Sequence, residues 1–448
     1  MKIPKTPPDW QILINNLFEE NPSVLRAVLS NQEATYKNEY IHWDKLRRLN
    51  PPEGLSHEQW WLSIKAARNQ QRKTLQTLTC TKGLPFIFSI PDPIPEQLHH
   101  IDQDAGGRIE MPEEGLTNPQ VRNRYLLHSL TEEAITSSQL EGATTTRKVA
   151  KEMLRENRPP QDISEQMILN NYRTMQFIRE YSNQPLTPEL VLEIHRSVTE
   201  KTMENPDDAG RFRRSDRVRV YENLSNEVLH TPPKSSELPK RMKAMCDFAN
   251  GKTPDYFIHP VVRAIILHFW LAYDHPFVDG NGRTARALFY WSMLQQKYWL
   301  CEFISISSIL KKGPAKYGRA FLYTETDEND LTYFIVYHLE VIQKAIKELQ
   351  KYIKEKTKYV RLTESILRNS EINLNHRQVS LLSHALRNPD AEYSIKVYQN
   401  THDVVYETAR ADLQYLEEKG LLIKRQMGRS FLYFPAEQID KMLKSRVN

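Results

Sequence analysis

A chain of 448 residues is too long for one ordinary hydrophobic core and predicts two or three domains. With 40% hydrophobic and 26% charged residues, a mean hydropathy of -0.62 and a longest apolar run of about ten residues (Ala264–Tyr273, interrupted by His268), it has no stretch of the roughly twenty residues that a membrane-spanning helix needs. The net charge of +5 permits an acidic partner without demanding one, and 14 glycines beside abundant Leu, Glu, Gln, Lys and Arg predict a mainly α fold. Cys80, Cys246 and Cys301 are too scattered for a disulfide framework or a metal knuckle and read as reduced thiols. The opening MKIPKTPPDW lacks the apolar region of a signal peptide, so a cytoplasmic location is expected.

In chain order, the region to about Leu84 reads as helical. Ser56 and Glu58 stand near a helix start, and Trp43, Trp60, Trp61 and Ile64 are spaced as core. The proline-punctuated Pro85–Pro95 cannot be helix and reads as a linker. Helical patterns dominate from about Gln97 to Lys358, with Thr187 as N-cap and Pro188 at the first position of a helix that continues through Leu190 and Ile194. Arg217, Val218, Arg219, Val220 and Tyr221 alternate with period two, and Leu229–Pro233 follows a turn-rich stretch; together they predict a β-hairpin inside the helical domain. After Val360 the order is an amphipathic helix (Gln378–Leu386), a short helix or turn (Ile395–Asn400), a helix (Glu407–Lys419) stopped by Gly420, and strands Leu421–Gln426 and Ser430–Phe434 around Met427-Gly428-Arg429. That is the order of a winged helix-turn-helix. The expected domains are 1–95, a helical N-terminal region; 96–358, a helical catalytic core; and 359–448, the winged helix.

The chemistry concentrates in His259–Gln295. Pro260 opens an apolar helix that must stop near Asp274, because Pro276 cannot sit inside it. His275-Pro276-Phe277-Val278-Asp279-Gly280-Asn281-Gly282-Arg283-Thr284-Ala285-Arg286 then forms a tight loop that feeds a second apolar helix. A helix N-terminus offers free N–H groups and a positive dipole end to a polyanion. Gly280 and Gly282 allow close backbone approach, and Arg283 and Arg286, three apart, share a helical face. Asp279 is a hard oxygen ligand suited to Mg²⁺, and His275 can accept a proton near neutrality. Base, carboxylate, anion cradle and two arginines describe phosphoryl or nucleotidyl transfer. No Gly-Lys-Ser/Thr follows the glycines, which excludes a Walker loop.

The full string resembles the signature of Fic-domain proteins, His-Pro-Phe-x-Asp/Glu-Gly-Asn-Gly-Arg-x-x-Arg, and matches at every specified position. Pro188–Ser197, preceded by Thr187, resembles the family's Thr-Pro-Glu-x-x-x-x-Ile-His helix, and the hairpin at Arg217–Pro233 sits where the family has its flap. The resemblance implies a Fic-type helical core and the transfer of AMP from ATP to a Tyr, Thr or Ser hydroxyl of a protein, itself included. It implies His275 as base, Asp279 as the Mg²⁺ ligand, and Gly280, Asn281 and Gly282 as anion hole. Arg283 and Arg286 fall on the β- and γ-phosphates, with Thr284 and Ala285 in the same nucleotide-binding stretch. Tyr317 resembles an aromatic that lies near the adenine.

Ser137 and Glu141 are four apart on a helical stretch and Gly142 ends it. In this context the string resembles the family's inhibitory motif, Ser/Thr-x-x-x-Glu-Gly/Asn, on a helix near 131–142, which implies that Glu141 pairs with Arg286 and denies it to the γ-phosphate. Other readings stay open: removal of AMP with Glu141 positioning a water, transfer of a different nucleotide or phosphate-containing group, or a DNA-binding regulator with a nucleotide-sensing core. For the last, Thr408, Arg410, Gln414 and Arg429 are the candidate DNA contacts, although thirteen Lys/Arg against eleven Asp/Glu from Val360 onward is a weak electrostatic footprint. Winged helices also dock proteins, and homodimerisation is open.

Overall fold

The computed structural model describes residues 2–31, 33–106, 119–221, 227–368, 372–386, 388, 391–427 and 430–437. The first helices, α1 (Trp10–Glu20) and α2 (Pro22–Leu29), are capped by Asp9 and Asn21. A single turn, α3 (Trp43–Leu46), precedes α4 (His57–Gln70), which Ser56 and Gln59 start with a reciprocal capping box. Trp43, Trp60, Trp61 and Ile64 join Ile41 and Leu46 in one core cluster, as their spacing predicts.

Two expectations for this region are corrected. The helical reading to Leu84 fails at β1 (Lys73–Thr79), which pairs antiparallel with β2 (Pro85–Phe88). A register shift between Leu75 and Thr79 puts Leu75 and Leu78, three apart, on the same buried side, so the strand shows helical spacing. Nor is Pro85–Pro95 a linker: Phe86 and Phe88 are buried, and Phe86 meets the rings of Phe269 and Tyr273 edge-on at 5.3 and 5.0 Å.

The helical region continues with α5 (Ile94–Ile101), α6 (Pro119–Leu140), α7 (Arg147–Glu156), α8 (Ile163–Tyr181) and α9 (Pro188–Thr199), the last capped by Thr187 as expected. A short hairpin follows, β3 (Val220–Tyr221) against β4 (Val228–His230), then α10 (Leu238–Ala249), α11 (Pro260–Asp274) and α12 (Asn281–Gln295). α11 and α12 are apolar nearly all round, the pattern of central helices, and Val262, Ile266, Phe269, Trp270, Leu288, Phe289 and Trp291 are fully buried. α13 (Ile306–Lys312), α14 (Pro314–Thr326) and α15 (Thr332–Arg368) complete the stretch. Buried polar groups tie the N-terminal helices to the α14–α15 junction: Lys65 Nζ pairs with Asp327 at 2.8 Å, Arg68 donates to Tyr333 Oη at 2.8 Å, and Tyr40 Oη donates to Asp330 at 2.5 Å.

By contacts the chain divides into two compact units. The first is Met1–Ile109, Glu132–Thr144 and Gln161–Ile346; the second is Glu110–Thr131, Thr145–Pro160 and Lys347–Asn448. Within the second, α16 (His376–Ala385), α17 (Ile395–His402), α18 (Tyr406–Glu418) and the hairpin β5 (Leu422–Met427)/β6 (Ser430–Pro435) follow in the expected order. Leu382, Ala409, Leu413, Leu416 and Tyr433 form its core. Gly428 and Arg429 lie outside the described residues. Among the described residues, no helix is long and apolar enough to cross a membrane.

Candidate active site

α11 ends at His275, which adopts a left-handed conformation (φ 44°, ψ 56°) and returns its N–H to Leu271 O at 3.0 Å. A non-glycine residue held there costs about 1 kcal/mol or more, so the surroundings must impose it. Nδ1 of the imidazole lies 3.3 Å from the Ala272 carbonyl and donates to it, which leaves Nε2 as the free base. Burial, with the neighbouring His230, lowers the His275 pKa to about 4, so the ring is neutral at physiological pH.

The loop that follows is stapled from inside. Asn281 Oδ1 accepts from Phe277 N and its Nδ2 donates to Phe277 O, both at 2.9 Å, so the side chain serves the loop and the backbone stays available. His195, from α9, stacks on Phe277 at 3.7 Å and holds Asp279 O at 2.9 Å through Nε2, while Nδ1 accepts Gly210 N–H at 2.9 Å. Burial lowers its pKa to about 4, which matches a neutral ring donating through one nitrogen and accepting through the other. Gly280, with φ 78°, is the N-cap of α12 and supplies no side-chain cap, so the first N–H groups of the helix have no intrahelical acceptor. A Cβ on Gly280 would lie 2.6 Å from the Thr199 methyl, so this close approach admits only glycine. Thr284 Oγ1 returns to Gly280 O at 2.9 Å and Ala285 is fully buried.

The two arginines part company, although they share a helical face. Arg283 is fully buried; it donates to Val198 O at 2.9 Å and pairs with the half-exposed Asp279 carboxylate at 3.1 Å. Arg286, also buried, turns to α6: Nε donates to Ser137 Oγ at 2.8 Å, and Nη2 to Ser137 O and Glu141 Oε1, each at 2.9 Å. Burial works against its charge, yet Glu141 raises its pKa above the usual value. Glu141 Oε1 lies 2.1 Å from where a Cβ on Gly282 would stand. A carboxylate therefore already rests against the uncapped end of α12. Gly142 takes φ 98° with nothing within 4 Å of its would-be Cβ, so its backbone angle, not space, calls for glycine. Tyr317, on α14, is hydrogen-bonded to His268 Nε2 at 2.9 Å and lies beside Arg286.

Of the expected strand Arg217–Tyr221 only Val220 and Tyr221 pair; just before them Arg217 N–H donates to Ser215 Oγ at 3.1 Å, and Arg219 donates to Val218 O at 2.8 Å and to Asp216 O. Val218 and Val220 are half-buried and Tyr221 is exposed. On α18, Arg410 is exposed and Thr408 and Gln414 are half-buried. Among the described residues no three His, Cys, Asp or Glu side chains form a metal cluster.

The sequence reading missed four side chains: His195, Arg213, His230 and Glu133. Glu133 is buried on α6 and accepts from Tyr290 Oη (2.9 Å), Ser305 Oγ (2.8 Å), Ser307 N (3.1 Å) and Ser307 Oγ. His195 stands inside the quoted Pro188–Ser197 stretch; the other three carry no local signal.

Known proteins share this region. Residues 185–293 match the Fic/DOC family. A protein of Nematostella vectensis named protein adenylyltransferase Fic is 40% identical over 106 residues, 24% of this chain and 22% of its own length. The protein of that name from Drosophila willistoni is 34% identical over 125 residues, 27% and 23% of the two chains. The matches thus span under a quarter of those relatives' lengths. A crystal structure of a Fic family protein from Desulfovibrio desulfuricans G20 has a similar fold, with a TM-score of 0.50 at 19% identity, covering 78% of this chain and 98% of that one. The loop stapled by Asn281 and the matches around it converge on one conclusion: this chain carries a Fic domain.

Proposed function

We propose that the protein transfers AMP from ATP to a Tyr, Thr or Ser hydroxyl of a protein, itself included, and that Glu141 holds the activity back. The observation that carries this reading is the Glu141 carboxylate against Gly282, bound to Arg286 at the uncapped start of α12. An anion already occupies the place suited to a polyphosphate.

In the proposed reaction His275 Nε2 takes the proton of the target hydroxyl as that oxygen attacks the α-phosphorus. An O–P bond forms, the bond from the α-phosphorus to the bridging oxygen breaks, and pyrophosphate leaves. The N–H groups of the Gly280–Gly282 stretch stabilise the charge that grows on the α-phosphate, because they are fixed before the reaction begins. Arg286, freed from Glu141, takes the γ-phosphate. Arg283 already has Asp279 and the Val198 carbonyl, so its part in holding the β-phosphate requires an exchange of partners. The half-exposed Asp279 carboxylate beside the helix start suits a Mg²⁺ ion, which typically uses one or two carboxylates plus substrate phosphates. Bound there, the ion would neutralise phosphate charge. Tyr317, next to Arg286, suits the nucleotide's base, and the flap strand would take the target's backbone as an added strand.

We read residues 359–448 as a winged helix that docks protein. The exposed residues of α18 and its two caps are Val405, Tyr406, Glu407, Arg410, Ala411, Glu418 and Lys419, two acids against two bases with two large apolar side chains, a poor match to a phosphate backbone. A gel shift that found salt-dependent binding to duplex DNA would reverse that choice.

The function is tested with radiolabelled ATP. Glu141→Gly raises AMP incorporation into the chain by about tenfold or more, since it lets the α-phosphate align for attack. His275→Ala in the same background abolishes it. An unchanged rate in Glu141→Gly rejects the brake, and label that persists without His275 rejects the mechanism.

A further inference from the structure

The last carbonyls of a helix have no intrahelical donors, and in α11 they lie next to the proposed base. Leu271 O and Ala272 O are met by His275 itself. Tyr273 O, and the carbonyls of His275 and Pro276 just past the helix, are met from the hairpin and its approach. His230, on β4, brings Nε2 to Tyr273 O at 2.7 Å and Nδ1 to Glu325 Oε2 at 2.7 Å. Arg213, just before the hairpin, donates through Nε to His275 O and through its backbone N–H to Pro276 O, both at 2.9 Å. The same guanidinium reaches into the hairpin's base: Nη1 donates to Ser215 O at 3.1 Å and to Asp216 Oδ1 at 3.3 Å, and Nη2 donates to Pro233 O. Asp216 in turn accepts from Ser235 N at 2.6 Å, in the turn that follows β4, closing the hairpin's base from the other side. Both side chains are buried, Arg213 at 1% and His230 at 8% exposed.

We infer that Arg213 and His230 are positioning residues that fasten the flap to the peptide units carrying His275, so that the acceptor strand and the base keep one fixed separation. The inference rests on the reading of the flap as the target's docking strand. The two cations suit the place, because a helix C-terminus is the negative end of its dipole. Neither touches the reacting atoms in this scheme. Their effect is geometric, and a displacement of about 1 Å between base and hydroxyl costs up to about a hundredfold in rate.

The His230 anchor also depends on protonation, since both ring nitrogens face acceptors and only the imidazolium donates to both. The titratable groups around it are Glu325 on α14 and Tyr273, Asp274 and His275 at the end of α11. Burial opposes the charge, but Glu325 and the Tyr273 carbonyl carry the pKa above 6.5. The anchor is complete below 6.5 and is lost as pH rises through that raised value.

The test uses the full chain in the Glu141→Gly background, with His230→Gln and Arg213→Lys added separately. ATP affinity is measured by calorimetry, AMP transfer to protein by radiolabel, and AMP released to water by chromatography. The expected result is an ATP Kd within about twofold of the parent, protein transfer reduced by about tenfold or more, and a higher ratio of free to protein-bound AMP. Parent transfer falls on the alkaline side, and His230→Gln flattens that limb. Transfer equal to the parent in both variants overturns the inference, as does a fall in transfer matched by an equal loss of ATP binding. If the Glu141→Gly parent itself transfers no label, the functional reading fails instead. Hydrogen exchange then decides the anchor alone: in His230→Gln, amides of 228–233 and 275–277 must speed up together, and an unchanged 275–277 rejects it.

Discussion

His275 carries two demands that one position must satisfy: it ends a helix and offers a bare Nε2. Its left-handed backbone turns the chain at the C-terminus of α11, and the Ala272 carbonyl fixes the proton on Nδ1. Burial lowers its pKa to about 4, so the imidazole proposed as base is unprotonated across the physiological range. The acid limb of kcat/KM for Glu141→Gly, which reports the free enzyme, is therefore expected nearer pH 4 than pH 6.5. A limb at 6.5 or above assigns the base elsewhere. The residues of this loop were legible in the sequence because the string is contiguous and its types answer a chemical need. Their division of labour was not. Asn281 read as part of the anion hole without a task for its side chain, which is spent at both ends on Phe277, and Arg283 read as a β-phosphate contact without its pairing to Asp279.

At the scale of elements, α6 is the piece whose placement matters most. Its first half belongs to the second unit and its last turns to the first, where Glu133 receives four hydrogen bonds from Tyr290, Ser305 and Ser307. That cluster is the peg that presents Ser137 and Glu141 to Arg286. Glu133→Ala leaves buried donors unpaired, each costing about 1–3 kcal/mol. The expected outcomes are a lower urea midpoint and a partial rise in automodification, with no further rise when Glu141→Gly is also present. An additive rise would detach the peg from the brake. Here the sequence was half legible. The spacing from Ser137 to Glu141 gave the shared face, but Glu133 finds its partners 157 and 172 to 174 residues away, which no local pattern encodes. The β1–β2 hairpin was illegible for a different reason: its bulge copies a helical interval.

For the whole molecule, five histidines among the described residues, each with a lowered pKa, weaken the fold in acid. Burial lowers the pKa values of His42, His195 and His275 to about 4, that of His338 to about 3, and that of His268 well below 6.5. Unfolded, each binds a proton near 6.5, so between about 4 and 6.5 the unfolded chain holds more protons than the folded one. Their contribution is complete above 6.5 and declines as pH falls through that window. His230, with its raised pKa, runs the opposite way, but it is one against five. Tm is expected to fall by several degrees from pH 7 to pH 5 in scanning calorimetry; a flat profile would mean that these rings are already protonated in the fold. The mainly helical architecture and the order of the last five elements were readable from periodicity and turn residues. The polar joints between distant segments, such as Lys65 with Asp327, exist only once the chain has closed.

The contact between Glu141 and Arg286 joins two parts of the same polypeptide. A tethered group acts at an effective concentration that its linkage sets, on the order of millimolar for short flexible tethers and higher for a helix pinned in place. Dilution cannot loosen it. On the proposed reading a nucleotide would compete against a fixed internal concentration, so the fraction of open sites would follow the nucleotide level and the stability of the last turn of α6.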